Sequence, residues 1–138
     1  MTEGLADKFD LPTPALIQLY KTWSQGGTGL HITGNVMVDR RYLERAGNVV
    51  LEDDKNLELF STWATHGTTG GNHLWVQLSH PGRQSPKMVS TKPLSPSDIQ
   101  LAMLGNFARP RPMDQSDIEE VIGRFVTSAR LVKQAGFT

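Results

Sequence analysis

Two short apolar runs, residues 30–38 and 74–79, stand far apart in the chain with helix-patterned sequence around them. Leu74 to Leu78 alternates apolar and polar side chains, the period of a β-strand. Residues 30–38 carry isoleucine and valine and are apolar enough to be buried on both faces, as strands of parallel sheets are. Between the runs lies a helical stretch that Asp53 or Asp54 can cap, with Leu57, Phe60 and Ala64 on its inner side. Strands joined through a helix cannot form a tight hairpin; they lie parallel and connect by a crossover. The fold class is therefore α/β, built of βαβ units. In such folds the chemistry gathers at the C-terminal ends of the strands.

The other elements fit that alternation. Thr13 is a candidate N-cap with Pro14 at the first helical position, where its missing amide costs nothing. Leu16, Leu19, Tyr20 and Trp23 then share a face, and Gly26-Gly27 ends the helix. Residues 39–52 read as a polar loop with a turn signal at Asn48. Residues 67–72 form a loop rich in Gly and Thr. Six prolines fall between positions 81 and 112. No regular element fits that density, so a long excursion over the C-terminal face is expected. Asp114 and Asp117 resemble a capping box opening a last helix. Its expected inner stripe is Ile118, Val121, Ile122, Phe125, Ala129 and Val132, and Gly136 ends it. Phe137-Thr138 looks like the first step into a further strand.

Composition narrows the function classes. Hydrophobic residues make up 38% of 138, enough for a core. Lys plus Arg and Asp plus Glu both count 14, a formal charge of zero, which favours neither nucleic acid nor an anionic membrane as partner. Cysteine is absent, which excludes disulfides, thiolate catalysis and Cys-based zinc sites. No apolar run approaches the roughly 18 residues of a membrane span. The first residues lack the basic-then-apolar pattern of a signal peptide, so a cytoplasmic protein is expected.

The densest cluster of reactive side chains is His73-Leu-Trp-Val-Gln-Leu-Ser-His-Pro-Gly-Arg83. The strand must stop at Pro81-Gly82, so Gln77, His80 and Arg83 collect at its C-terminal end. Gln77 is an amide in an apolar strand, expected to be buried and to need partners, either a ligand or a neighbouring strand. Gly34 interrupts the first run, as a β-bulge or where something approaches the backbone. His80 and Arg83 shape either a binding face or a plain turn. His66, His73 and His80 repeat every seven residues, but His73 and His80 are an odd number apart and so point to opposite sides of a strand, which argues against a metal site. His31 reads as a core or strand-end histidine. Asp53-Asp54 and Glu119-Glu120 are adjacent pairs that do not face one another on a helix. Gly26-Gly-Thr-Gly29 precedes a strand and lacks the Lys-Ser/Thr of a phosphate loop. No Gly-x-Ser-x-Gly elbow is present.

Three stretches, in order, resemble the old yellow enzyme family, the FMN-dependent NADH:flavin oxidoreductases and ene-reductases. Met1-Thr-Glu-Gly-Leu-Ala-Asp7 resembles the residues after its first strand, Gly29-Leu-His-Ile-Thr-Gly-Asn-Val-Met37 its second strand, and Gln77-Leu-Ser-His-Pro-Gly-Arg83 its third. The resemblance implies part of a (β/α)8 barrel, roughly strands two and three with flanking helices, over residues 1–138. It implies FMN as cofactor, NAD(P)H as reductant and an electron-poor alkene or other acceptor as the small-molecule substrate. It implies that Gln77 bonds the flavin pyrimidine ring, that the Gly34 backbone approaches the flavin, and that Thr2 bonds the C4 carbonyl and tunes the potential. His80 and Arg83 become top-face candidates.

A complete barrel needs about 250 residues. The resemblance places the substrate-gripping histidine pair and the proton-donating tyrosine beyond Thr138. The expectation is thus a piece with the rest of the barrel missing and inactive alone, for which a homo-oligomer is possible. With no strand before it, Thr2 is expected to have nothing to hold it. The alternative is a non-catalytic α/β module that binds a partner through its open edges.

Overall fold

The structure, a computed structural model, describes residues 2–138. Helix α1 spans Pro14–Gln25, strand β1 Leu30–Met37, β2 Val49–Val50, helix α2 Leu57–Gly67, β3 His73–Ser79, β4 Leu94–Ser95, β5 Arg111–Pro112 and helix α3 Gln115–Ala135. The main sheet has the order β2-β1-β3 with both pairings parallel. This is the expected α/β arrangement, with β1 at the centre and the α2 crossover joining it to β3.

All three helices cover one face of the sheet. Tyr20 of α1 meets Trp63 of α2 edge to face at 5.2 Å, and Trp63 meets Phe137 the same way at 5.5 Å. Leu16, Val36, Phe60 and Leu74 close the same core. The opposite face is open: Ile32 and Trp75, paired across β1 and β3, are 54% and 52% exposed.

The helix ends follow local chemistry. Thr13 caps α1, its hydroxyl accepting from the Leu16 amide. Asp114 and Asp117 close a reciprocal capping box on α3, and Gly136 ends it at φ 92°, a left-handed turn that suits glycine. Beyond it, the Thr138 amide donates to the Leu74 carbonyl at 3.2 Å.

Several expectations need correction. The segment read as a polar loop contains β2, because Val49 and Val50 are buried and extend the ladder. Helix α2 starts at Asn56 without a side-chain cap, while the Asp53 carboxylate takes the Lys55 amide instead. Trp23 is 43% exposed; Leu16, Tyr20 and Ser24 are the buried stripe of α1. On α3 the buried residues are Ser128, Leu131 and Ala135, whereas Ile118 and Ile122 are exposed. Only the C-terminal part of α3 meets the core; its first half lies along charged groups. The proline-rich excursion holds a 3₁₀ turn over Gly82–Gln84 and the parallel pair β4–β5. Proline tolerates that pair because its ladder bonds use the amides of Arg111 and Met113. Among the described residues no helix is long and apolar enough to cross a membrane.

Candidate functional site

The site is set by an irregularity in β1. Ile32 pairs with Trp75, yet Asn35 pairs with Gln77, so Thr33 and Gly34 together face Val76. Two residues against one is a β-bulge. Its loose ends are tied from both sides. The Gln77 amide, deprived of a regular partner, donates to Thr33 Oγ1 at 3.0 Å. The Gly34 amide turns toward α1 and donates to Tyr20 Oη and Glu3 Oε1, each at 3.1 Å. Tyr20 Oη in turn donates to Glu3 Oε1 at 2.6 Å. Burial and the neighbouring Glu3 carboxylate push the Tyr20 phenol well above its ordinary 10.0, so it remains a donor. Gly34 is therefore buried in a bulge, with its amide engaged by side chains of this chain.

The extra residue brings Asn35 rather than Gly34 opposite Gln77. On the open face Gln77 Nε2 donates to Asn35 Oδ1 at 2.6 Å. Gln77 is exposed, not the buried amide expected, because the sheet face it occupies has no covering layer. Its Oε1 and its second N–H have no partner among the described residues.

Thr2 is held by a separate pair of side chains. Its hydroxyl donates to Glu44 Oε2 at 2.8 Å and accepts from Asn48 Nδ2 at 3.4 Å. The expectation that nothing holds Thr2 fails, since Glu44 and the fully buried Asn48 do. Burial pushes the Glu44 carboxyl up, but the hydrogen bond from Thr2 and the Arg45 charge more than offset it and hold it below its usual range. Gln77 and Asn35 thus form one hydrogen-bonded pair near the C-terminal edge of the sheet, and Thr2 and Glu44 form another.

His80 and Arg83 are not brought together. His80 follows β3, half-buried, its Nδ1 accepting from the Gly82 amide at 3.2 Å and its ring 5.2 Å from Tyr42. Burial lowers its pKa, against the opposing pull of Asp39, so the ring stays neutral. Its Nε2 is buried without a partner among the described residues. Arg83 sits on the 3₁₀ turn, exposed, with no side-chain partner among them. His31 is a core residue, packed edge-on to Tyr20 and Trp23.

Sequence reading missed Asn35, Glu44 and Asp39. Asn35 had a signal: it follows the glycine that permits a bulge. Asp39, 1% exposed, lies two residues past β1 and is bonded by Arg41 at 2.7 Å and Arg124 of α3 at 3.2 Å. Burial alone would raise its pKa, and the two guanidiniums bring it below the usual 3.8. Nothing in the sequence links positions 39 and 124.

A parallel sheet with helices on one face, an open inner face and polar side chains along its C-terminal edge is a segment of an α/β barrel. The chain belongs to the NADH:flavin oxidoreductase / NADH oxidase family, whose model matches residues 1–138. It is 33% identical over 135 residues to the NADH-dependent flavin oxidoreductase nadA of Aspergillus parasiticus, covering 92% of this chain and 30% of that one. It is 32% identical over 140 residues to an NADH oxidase of Thermoanaerobacter brockii, covering 99% of this chain and 21% of that one. The old yellow enzyme homologue of Zymomonas mobilis superposes with a TM-score of 0.86 at 23% identity, over 99% of this chain and 40% of that one. A 2-naphthoyl-CoA reductase superposes with 0.92 at 18%, over 99% and 23%. At those identities the superpositions establish the fold, a partial (β/α)8 barrel. The chain spans between 20% and 39% of the length of the first curated relatives it matches.

Proposed function

We propose that residues 1–138 form the flavin-facing edge of an FMN-dependent NAD(P)H oxidoreductase acting on an electron-poor alkene or a comparable acceptor. The observation that carries this reading is the Gln77–Asn35 pair on the open face near the C-terminal edge of the sheet. Its donor set fits the group: Gln77 has an unused oxygen and an unused N–H on the open face, one acceptor and one donor for an edge that offers N–H and C=O. When bound, FMN supplies the hydride chemistry. Gln77 binds and orients the ring, and the bulge at Thr33–Gly34 sets the height at which it does so. His80 and Arg83 lie on the same end of the sheet, where Arg83 is available to an anionic group.

The proposed reading is tested by titrating the purified protein with FMN while following flavin fluorescence. Quenching that saturates, and that Gln77→Ala weakens by about tenfold, is the expected outcome. The alternative of a non-catalytic module covered by a partner draws on the exposure of Ile32 and Trp75. It predicts no saturable FMN binding and a Gln77→Ala variant indistinguishable from the parent.

A further inference from the structure

The chain carries no net charge, but its charge is unevenly spread. Residues 81–112 hold Arg83, Lys87, Lys92, Arg109 and Arg111 against the single carboxylate of Asp98, a net of +4 that leaves −4 to the rest. The fold gathers three of those cations. Arg111 pairs with Leu94 across β4 and β5, and its amide donates to the Pro93 carbonyl at 2.9 Å, so the segments leading into the two strands lie side by side. Thr91, Lys92, Arg109, Pro110 and Arg111 line one cleft there, and among the described residues no carboxylate lines it. Pro93 and Pro110 are buried and stiffen its walls. The guanidiniums are braced. Asp117 takes both terminal nitrogens of Arg111, at 2.6 and 2.7 Å, and Asp98 takes one terminal nitrogen of Arg109. Each fork keeps N–H groups that no side chain among the described residues uses, the Nε of both arginines and Nη1 of Arg109.

We propose that this cleft binds a diphosphate, that of the nicotinamide dinucleotide reductant. The identity of the ligand rests on the oxidoreductase reading above; the site itself rests on the cations. A planar guanidinium meets phosphate oxygens with paired N–H donors, where an ammonium offers a point charge. Two forks, the Lys92 ammonium and the Thr91 hydroxyl supply such a set for the two phosphoryl groups. Because carboxylates hold the forks and prolines the walls, little freedom is left to lose on binding. Asp98 and Asp117 offset two of the cations, while Arg83, Lys87 and Lys92 pair with no carboxylate among the described residues. The excursion that carries the cleft leaves the C-terminal end of β3, the end at which Gln77 stands. Its excess of positive charge draws an anion toward that end before any contact is made.

The test is calorimetric titration of the whole purified chain with ADP, AMP and adenosine, none of which involves flavin. ADP is expected to bind saturably, AMP more weakly and adenosine not at all. Lys92→Ala and Arg109→Ala are each expected to weaken ADP by about tenfold. Arg109→Lys should lose nearly as much, since it keeps the charge and loses the fork. The Arg109 side chain is 71% exposed and Lys92 is exposed too, so these variants should melt as the parent does. Lys133→Ala, in the last turn of α3, should leave ADP binding unchanged. NADH is expected to bind and to lose the same factor in Arg109→Ala. Adenosine that binds as well as ADP, or ADP affinities within about twofold of the parent in both alanine variants, overturns the site. NADH that does not bind, or an Arg109→Ala protein that loses affinity for FMN but not for riboflavin, overturns the assignment to the reductant. A chain that binds ADP as expected but not FMN overturns the flavin reading and leaves the cleft standing.

Discussion

Single residues decide whether the bulge is tolerable. Thr33 is 1% exposed, and its hydroxyl supplies the acceptor that the ladder withholds from the Gln77 amide. Thr33→Val keeps the shape and the β-branch but leaves that N–H without its partner. The expected cost is about 1–3 kcal/mol, read as a lower urea midpoint at unchanged slope. An unchanged midpoint would mean that water replaces the hydroxyl. Gln77 was visible in the sequence as an amide out of place among apolar neighbours, and it is the residue that faces the candidate site. Its exposure was not visible, because exposure depends on what covers the sheet, and no local pattern encodes that.

Between elements, one ionic cluster fastens α3 to the end of β1. Asp39 is buried and pairs with the part-exposed Arg41 and Arg124, and Arg124 reaches Glu52 and Glu120 as well. The folded-state pKa of Asp39 lies below its ordinary 3.8. Its contribution to stability is thus fully present above that value and is lost as pH falls below 3.8 through the folded one. Urea midpoints measured from pH 5 downward should show this loss, and Asp39→Asn should flatten it. At neutral pH the same change should cost about 1–3 kcal/mol, since it removes charged hydrogen bonds while both guanidiniums keep Glu120, and Arg124 also Glu52, as partners. Helix boundaries were legible where caps are local, as with Thr13 and the Asp114–Asp117 box. The inner face of α3 was not. Ile118 and Ile122 satisfy the helical period, yet the part of α3 that carries them packs on no apolar layer. Periodicity reports a stripe without saying which turns of it are covered.

At the scale of the molecule, the alternation of strands and helices sufficed for the α/β class, and three motifs in order sufficed for the family. The two-residue strand β2 escaped because two valines make no periodic signal; they become a strand only when Val36 and Met37 lie beside them. The bulge escaped too, although Gly34 marked its place. Its consequence reaches into how such a chain tolerates change in length. Removing one residue from a strand ordinarily slips every later side chain onto the wrong face. Here the extra residue is already present, so deleting Gly34 restores plain alternation: Ile32 and Asn35 stay on the open face, and Asn35 still meets Gln77. A chain lacking Gly34 should therefore fold and melt cooperatively, whereas one lacking Val36 should not. Its deficit should be confined to the bonds that Gly34 now makes to Glu3 and Tyr20. This strand carries one point at which its length is negotiable, and that point adjoins the candidate site.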